Sequence, residues 1–399
     1  MHAGYTTVEA QRSPVSRRLQ AIPASGIRTF FDIIATMKDV ISLGVGEPDF
    51  ITPTQIRGAA IRSIEDGATK YTSNFGMIEL REAVSAHLER RYGVYYNPET
   101  EIIMTSGSSE ALNIALQALL DPGDGVLIPD PYYVAYPPSV AFAGGEAQLV
   151  PTRPEDDFRL RVRALEDALT PATKLLLFGY PSNPTGAVMS RDDLLDVAAF
   201  VQRHDLYVIS DEIYDRLVYD TEHTCFAALP GMQERTVLLG GFSKAYAMTG
   251  WRLGFVAAPP EITEGLMRVH QYIMMSAPTA AQYAAIEALR SGEEDVRGMV
   301  HEYNQRRRVI VDGFNRIGLR CFEPRGAFYA FPDITSTGLD DNAFSERLLF
   351  EEKVAVVPGS AFGVQGTGHI RACYATALPE IEEALVRIER FVRRVRNRD

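Results

Sequence analysis

From about residue 100 the chain alternates short apolar runs with stretches whose apolar residues recur every three or four positions. The runs IIMTS (102–106), GVLIP (125–129), KLLLFGY (174–180), LYVIS (206–210), TVLLG (236–240) and RLGFVAA (252–258) carry almost no polar alternation. That pattern predicts strands covered on both faces. Between them, SSEALNIALQALL (108–120) reads as a helix with a serine N-cap, and SRDDLLDVAAFVQRH (190–204) as a second helix. Strand–helix alternation over this length predicts an α/β layer with a mostly parallel sheet, in which ligands collect at the carboxyl ends of the strands. After about residue 290 the pattern changes to a long polar helix (293–316), the short segment AFYAFP, a helix near 341–352, VAVVP, HIRACY and a final helix near 378–396. These predict a separate, smaller α+β domain. The first 45 residues lack the strand–helix rhythm and are expected to pack with it. The expected division is a large domain over 46–290 and a small domain formed by 1–45 and 291–399.

Composition narrows the function. The 399 residues fit two domains at roughly 150 residues each. With 46% apolar and 23% charged residues the chain reads as globular, and a net charge of −12 argues against nucleic acid or an anionic membrane as partner. The three cysteines form no CxxC pair and the seven histidines no HExxH, so neither a disulfide framework nor a zinc site is expected. The first residues contain no apolar signal-peptide core, and no apolar run approaches the ~20 residues of a membrane span. A reducing cytoplasm is the expected location. GxxxxGK, GxGxxG after a strand and GxSxG are all missing, which removes kinase, dinucleotide-dehydrogenase and serine-hydrolase readings.

Lysine is scarce. Only Lys38, Lys70, Lys174, Lys244 and Lys353 stand among 40 basic residues. The first two lie in polar or turn contexts, and Lys174 and Lys353 each open a strand. Lys244 follows the apolar strand TVLLGGF within GGFSKAYAMTGWRLG. A lysine just past a buried strand end is desolvated, which lowers its pKa and makes it a nucleophile or base; the competing reading is a loop lysine that reaches solvent. Asp211, in ISDEIYD, also follows a buried strand, where a carboxylate needs a cationic partner or several donors; the plainer role is a helix N-cap. Tyr214 lies three residues on. Asn183, in YPSNPTG, sits where ordinary turn chemistry would also place it. TSGSSEAL (105–112) places the free N–H groups of Ser108 and Ser109 at a helix start, a natural phosphate seat or a simple cap. Arg252 can add a charged fork. A lysine for a Schiff base, an aspartate for a pyridinium nitrogen, donors for a phenolic oxygen and a helix N-terminus for a phosphate are together the requirements of pyridoxal phosphate.

These segments, with SGIRTFF (25–31), LGVGEPDF (43–50), KYTSNFGMIELR (70–81) and GHIRACYA (368–375), strongly resemble the class I/II aminotransferases of the fold-type I pyridoxal-phosphate enzymes along nearly the whole chain. The aspartate, aromatic and diaminopimelate types are the most similar subgroup. The resemblance implies a large domain with a mostly parallel seven-stranded sheet between helices. It implies that Lys244 binds the cofactor and then moves the substrate proton, and that Asp211 pairs with the ring nitrogen. Tyr214 and Asn183 are implied to bond the phenolic oxygen, and Tyr133 to lie on the ring face. Ser108, Ser109, Ser243 and Arg252 would surround the phosphate, joined by Tyr71 from a partner subunit, which makes the active unit a homodimer. Arg371 would clamp the substrate α-carboxylate, with Asn183 and the backbone of Gly46 beside it. Two departures stand out: Gly241 occupies the place where many relatives have a phosphate-binding serine, and Ser109 the place where some acidic-substrate relatives have a lysine. No motif identifies a second arginine for a distal carboxylate; Arg28 lies in the segment expected near the pocket.

The implied activity is ping-pong transfer of an amino group from an L-amino acid, of aspartate or aromatic type, to a 2-oxo acid such as 2-oxoglutarate. A β-carbon–sulfur lyase, a ring-forming synthase or an N-acyl-diaminopimelate-type aminotransferase on the same scaffold are the alternatives, and a non-enzymatic regulator is a further one. The basic run RIERFVRRVRNRD at the end of the chain reads as a solvated helix end complementing the dipole, or as a partner-binding tail.

Overall fold

The computed structural model describes residues 13–20, 22 and 37–397. Strand β1 (Ile41–Ser42) lies outside the main sheet. The main sheet is built from β2 (Ile102–Thr105), β3 (Gly125–Asp130), β4 (Glu146–Pro151), β5 (Thr173–Phe178), β6 (Tyr207–Asp211), β7 (Thr236–Gly241) and β8 (Gly254–Ala257). Their order across it is β2-β8-β7-β6-β5-β3-β4. β3 to β7 pair in parallel, and β8 runs antiparallel to both its neighbours.

The apolar runs become strands because both sheet faces are covered. Val126, Ile128, Leu175, Leu177 and Ile209 face one layer, with the helices Ser108–Leu119 and Pro260–Ile273. Leu127, Leu176, Phe178 and Val208 face the other, with the helix Arg191–Arg203. The two sets interleave along each strand, the period-2 alternation of a pleated chain. β4 was not foreseen as a strand. It is an edge strand with one buried residue, Val150, and its text EAQLVP has no continuous apolar run.

The later elements form a three-stranded antiparallel sheet, in the order β11-β12-β9, from β9 (Tyr329–Ala330), β11 (Val357–Pro358) and β12 (Ile370–Cys373). β10 (Val354–Ala355) pairs in parallel with β1, and the Cys373 amide donates to the Leu43 carbonyl at 2.7 Å. The chain around residue 43 is thereby held against the C-terminal strands. The helices Glu293–Ile317 and Leu378–Arg396 pack so closely that a Cβ on Gly313 would lie 2.4 Å from Leu385 Cδ1.

The described arginines of the basic run are internally partnered. Arg394 pairs with Glu352 and Glu351 at 2.8 Å each, Arg390 pairs with Glu352, and Arg396 donates to the carbonyls of Ile317 and Gly318. Those arginines close the end of one helix onto its neighbours.

The helix Arg191–Arg203 starts with a reciprocal cap. Ser190 Oγ accepts from the Asp193 amide at 3.1 Å, and the Asp193 carboxylate accepts from the Ser190 amide at 3.3 Å. Ser190→Ala is expected to cost about 1 kcal/mol, seen as a lower midpoint in urea unfolding with an unchanged slope.

Candidate active site

The carboxyl ends of β2, β3, β5, β6 and β7 lie along one edge of the sheet. Because β8 runs the other way, the residues before its start lie at that same edge; Gly254 is in register with both Thr105 and Gly241. A cavity of about 330 Å³ opens there. Its walls include Gly46, Ser108, Ser109, Tyr133, Asn183, Asp211, Tyr214, Ser243, Lys244, Arg252 and Arg371. The sequence assigned all of these to one site. Tyr71 is not among the lining residues and is 81% exposed. Arg28 lies outside the described residues.

Lys244 Nζ donates to the Gly46 carbonyl at 2.6 Å and lies over the rings of Tyr214 and Phe328, 5.7 and 5.6 Å from their centroids. Burial among these groups lowers its pKa to about 8; the Arg371 and Arg252 charges push the same way, and Cys373 and Glu47 oppose them. The sequence argument for a desolvated lysine therefore holds.

Asp211, the last residue of β6, accepts a hydrogen bond from Tyr136 Oη at 2.9 Å and one from the Ile213 amide at 3.3 Å. No cationic side chain among the described residues forms an ion pair with it. Burial raises its pKa to about 6 against the stabilising bonds from Tyr136 and Ile213. Gly179 is required beside this pair: a Cβ there would stand 2.6 Å from Tyr136 Oη and 3.2 Å from Asp211 Cβ.

Arg371 projects from β12 and is 6% exposed. Its Nη1 donates to Asn183 Oδ1 at 2.8 Å and its Nη2 to the Gly44 carbonyl at 2.6 Å, while Nε is buried without a partner. The guanidinium is stacked between the rings of Tyr329 and Phe362, 4.5 and 4.8 Å from their centroids. No carboxylate of the described chain neutralises it.

Tyr214 Oη lies 2.7 Å from Tyr329 Oη, and burial raises the pKa of both phenols. Tyr329 also closes the space above Gly46, where a Cβ would lie 2.2 Å from its hydroxyl. Ser108 and Ser109 open the helix Ser108–Leu119, whose N-cap is Gly107 with φ 76°, so neither serine serves as the cap. A Cβ on Gly107 would meet Arg252 Nη2 at 2.7 Å, and one on Gly254 would meet the Ser108 amide nitrogen at 2.7 Å. Close packing of glycines thus brings Arg252 to the helix start. At Gly241, a Cβ would fall 2.9 Å from Ile213 Cδ1, so Ile213 occupies the room a side chain would need.

Tyr136, Tyr329 and Gly44 were not singled out in the sequence. Tyr136 had a usable signal, three residues beyond Tyr133 in YYVAY, and Tyr329 sits in AFYAF beside Phe328.

The model of the family described as "Aminotransferase class I and II" matches residues 38–388. The chain belongs to the class I and II aminotransferases. It is 51% identical over 380 residues to a putative aminotransferase of Bacillus subtilis, covering 95% of this chain and 98% of that one. It is 47% identical over 382 residues to an aspartate aminotransferase of Pyrococcus abyssi, again covering 95% and 98%. The crystal structure of an aromatic aminotransferase from Pyrococcus horikoshii superposes with a TM-score of 0.88 at 46% identity, over 92% of this chain and 99% of that one.

Members of this family use pyridoxal phosphate, and this aminotransferase is a pyridoxal-phosphate enzyme. The cavity fits that group: it offers a buried carboxylate without a cation, a lysine of lowered pKa, uncapped serines at a helix start, and an arginine beside them.

The neutral fraction of Lys244 rises through pH about 8. The rate at which the apoprotein captures pyridoxal phosphate is therefore expected to climb with pH to a midpoint near 8 and then level off. Stopped-flow absorbance measures it; a midpoint in the ordinary lysine range near 10 would contradict the burial.

Proposed function

We propose that this aminotransferase moves the amino group of an aspartate-type or aromatic L-amino acid to a 2-oxo acid, with 2-oxoglutarate the expected acceptor, in a ping-pong cycle. The observation that carries the substrate class is Arg371, a buried guanidinium with no carboxylate partner among the described residues and an unpartnered Nε. A planar fork held between two rings suits the α-carboxylate shared by amino and oxo acids, a task a lysine point charge performs poorly. The names of the Pyrococcus relatives, one aspartate and one aromatic, support the donor class.

When bound, pyridoxal phosphate supplies the electron sink that acidifies the substrate Cα–H. Asp211 holds the proton on the ring nitrogen, and Tyr136 keeps Asp211 ionised by donating to it. Lys244 would bind the cofactor and would take up and return the substrate Cα proton as base and acid. Tyr214 and Asn183 would donate to the cofactor's phenolic oxygen, and Tyr133 would lie against its ring. Ser108, Ser109, Ser243 and Arg252 bind the phosphate. Arg371, steadied by Asn183, orients the carboxylate, with the Gly46 backbone alongside.

The working unit in this reading is a cytoplasmic homodimer in which Tyr71 reaches the partner's phosphate site. Exposed Ile61, Ile64, Tyr71, Tyr272 and Met275 are the apolar surface such a contact would cover. No helix among the described residues is long and apolar enough to cross a membrane. In this reading 46–290 are the large domain and 1–45 with 291–399 the small one; the β1–β10 pairing supports the division for the chain around residues 41–42, while residues 1–12, 21, 23–36 and 398–399 lie outside the described residues.

Lys244→Ala is expected to abolish turnover and the borohydride-trapped pyridoxal phosphate adduct found by peptide mass mapping. Arg371→Ala is expected to raise KM for the amino acid on the order of a hundredfold with a smaller effect on kcat; an unchanged KM would remove the clamp. A panel of amino acids mixed singly with the holoenzyme, followed by the change in cofactor absorbance, ranks the donors. A spectrum unmoved by any of them would overturn the proposed reaction.

A further inference from the structure

Asp130 is the last residue of β3, is 3% exposed and does not line the cavity. Its backbone carbonyl accepts from the amide and the hydroxyl of Thr152, at 2.8 and 2.9 Å. Its carboxylate accepts from two successive amides far along the chain, Val364 to one oxygen at 3.1 Å and Gln365 to the other at 3.2 Å. No cationic side chain among the described residues forms an ion pair with it. Burial pushes its pKa up to about 6 against the two amide bonds, so at neutral pH the group is ionised and both oxygens accept.

A buried carboxylate held by backbone amides alone costs stability, so its use calls for a reason. The approach is also close. Gly363 has φ 117°, and a Cβ there would lie 2.1 Å from Asp130 Oδ1 and 2.8 Å from Tyr132 Cε1. Only a residue without a side chain lets the turn come so near. What the turn carries is Phe362. Its carbonyl accepts from the Tyr132 amide at 2.9 Å, so the segment 130–132 grips the chain at residue 362 and again at 364 and 365. Phe362 is fully buried, and its ring lies against the Arg371 guanidinium opposite Tyr329.

We propose that Asp130 is a positioning residue for the substrate carboxylate: by accepting from Val364 and Gln365 it holds the turn at 362–365, and with it the Phe362 ring, against Arg371. This rests on the reading of Arg371 as the carboxylate clamp. A ring free to withdraw would leave the guanidinium one wall short, and its planar fork would lose the fixed orientation that a bidentate partner needs.

The test follows cofactor absorbance as the holoenzyme reacts in single half-reactions with L-aspartate and with L-phenylalanine. This separates the half-saturating concentration from the limiting rate. Asp130→Asn keeps the side chain's size but turns one acceptor into a donor that faces an amide. It should raise the half-saturating concentration of the reacting amino acid at least about fivefold. The limiting rate and the dissociation constant of pyridoxal phosphate should each change by less than about twofold. Phe362→Leu should also raise the half-saturating concentration. Adding Asp130→Asn to Phe362→Leu should change it by less than about a further twofold, because the ring through which Asp130 acts is gone. If Asp130→Asn does not fold, Val364→Pro removes one of the two donors from the other side of the contact. Val364 is 71% exposed and opens the short helix Val364–Gly366, where proline fits. That variant should show the same selective loss. An unchanged half-saturating concentration with a lower thermal midpoint would make Asp130 an ordinary stability residue and overturn the proposal. So would an equal loss of limiting rate or of cofactor affinity, or full additivity in the double variant. A wild-type holoenzyme unmoved by any amino acid would instead overturn the proposed reaction, and an unchanged half-saturating concentration in Arg371→Ala the clamp itself.

Discussion

Three ionisable side chains in one cavity have no counter-ion among the described residues: Asp211, Lys244 and Arg371. Asp211 and Arg371 are buried by the fold and Lys244 is half-buried, and each departs from the usual rule that a buried charge is paired. Asp211 has only neutral donors, Lys244 a backbone carbonyl, Arg371 an amide oxygen, a carbonyl and two ring faces. The chain bears the desolvation of all three; a ring cation and a carboxylate ligand would bring the charges opposite to Asp211 and Arg371, and an aldehyde would react with Lys244 in its neutral form. Stability given up in burying these groups is thereby available to hold ligands.

Sheet topology makes that arrangement possible. Six strands run in one direction, so the residues that follow Thr105, Phe178, Asp211 and Gly241 leave from one edge. The single reversed strand, β8, delivers Arg252 from its amino end to the same edge. The remaining cation arrives on β12, far along the chain, and is anchored by the Gly44 carbonyl. One wall of the cavity thus depends on pairing between β1 and β10 and on the Cys373–Leu43 bond.

What the sequence disclosed follows the same physics. Strands β2, β3 and β5 to β8 were legible because burial on both faces forces an unbroken apolar run. β4 was not, because an edge strand with one buried residue leaves only Val150 as a signal. Lys244 and Asp211 were legible because a charge at the end of an apolar run is conspicuous. Tyr136 and Tyr329 were not, because a buried tyrosine is ordinary core until its hydroxyl is seen to meet Asp211 or Tyr214.

The two tyrosines show how closely the cofactor and substrate sides of the cavity are joined. Tyr329 shares its hydroxyl with Tyr214, stacks on Arg371, and fills the space above Gly46, whose carbonyl holds Lys244. A shift of its ring would disturb the phenol proposed to bond the cofactor and the guanidinium proposed to bind substrate. It would also alter the backbone that receives the lysine. Packing density lets one side chain couple all three, since none of those contacts has room to relax independently. The arrangement would tie the proposed binding of a carboxylate at Arg371 to the position of Lys244 through rigid neighbours, with no moving part required. That coupling is why glycine at 46 is an architectural requirement of the site: the smallest added side chain would have to displace the residue on which both halves rest.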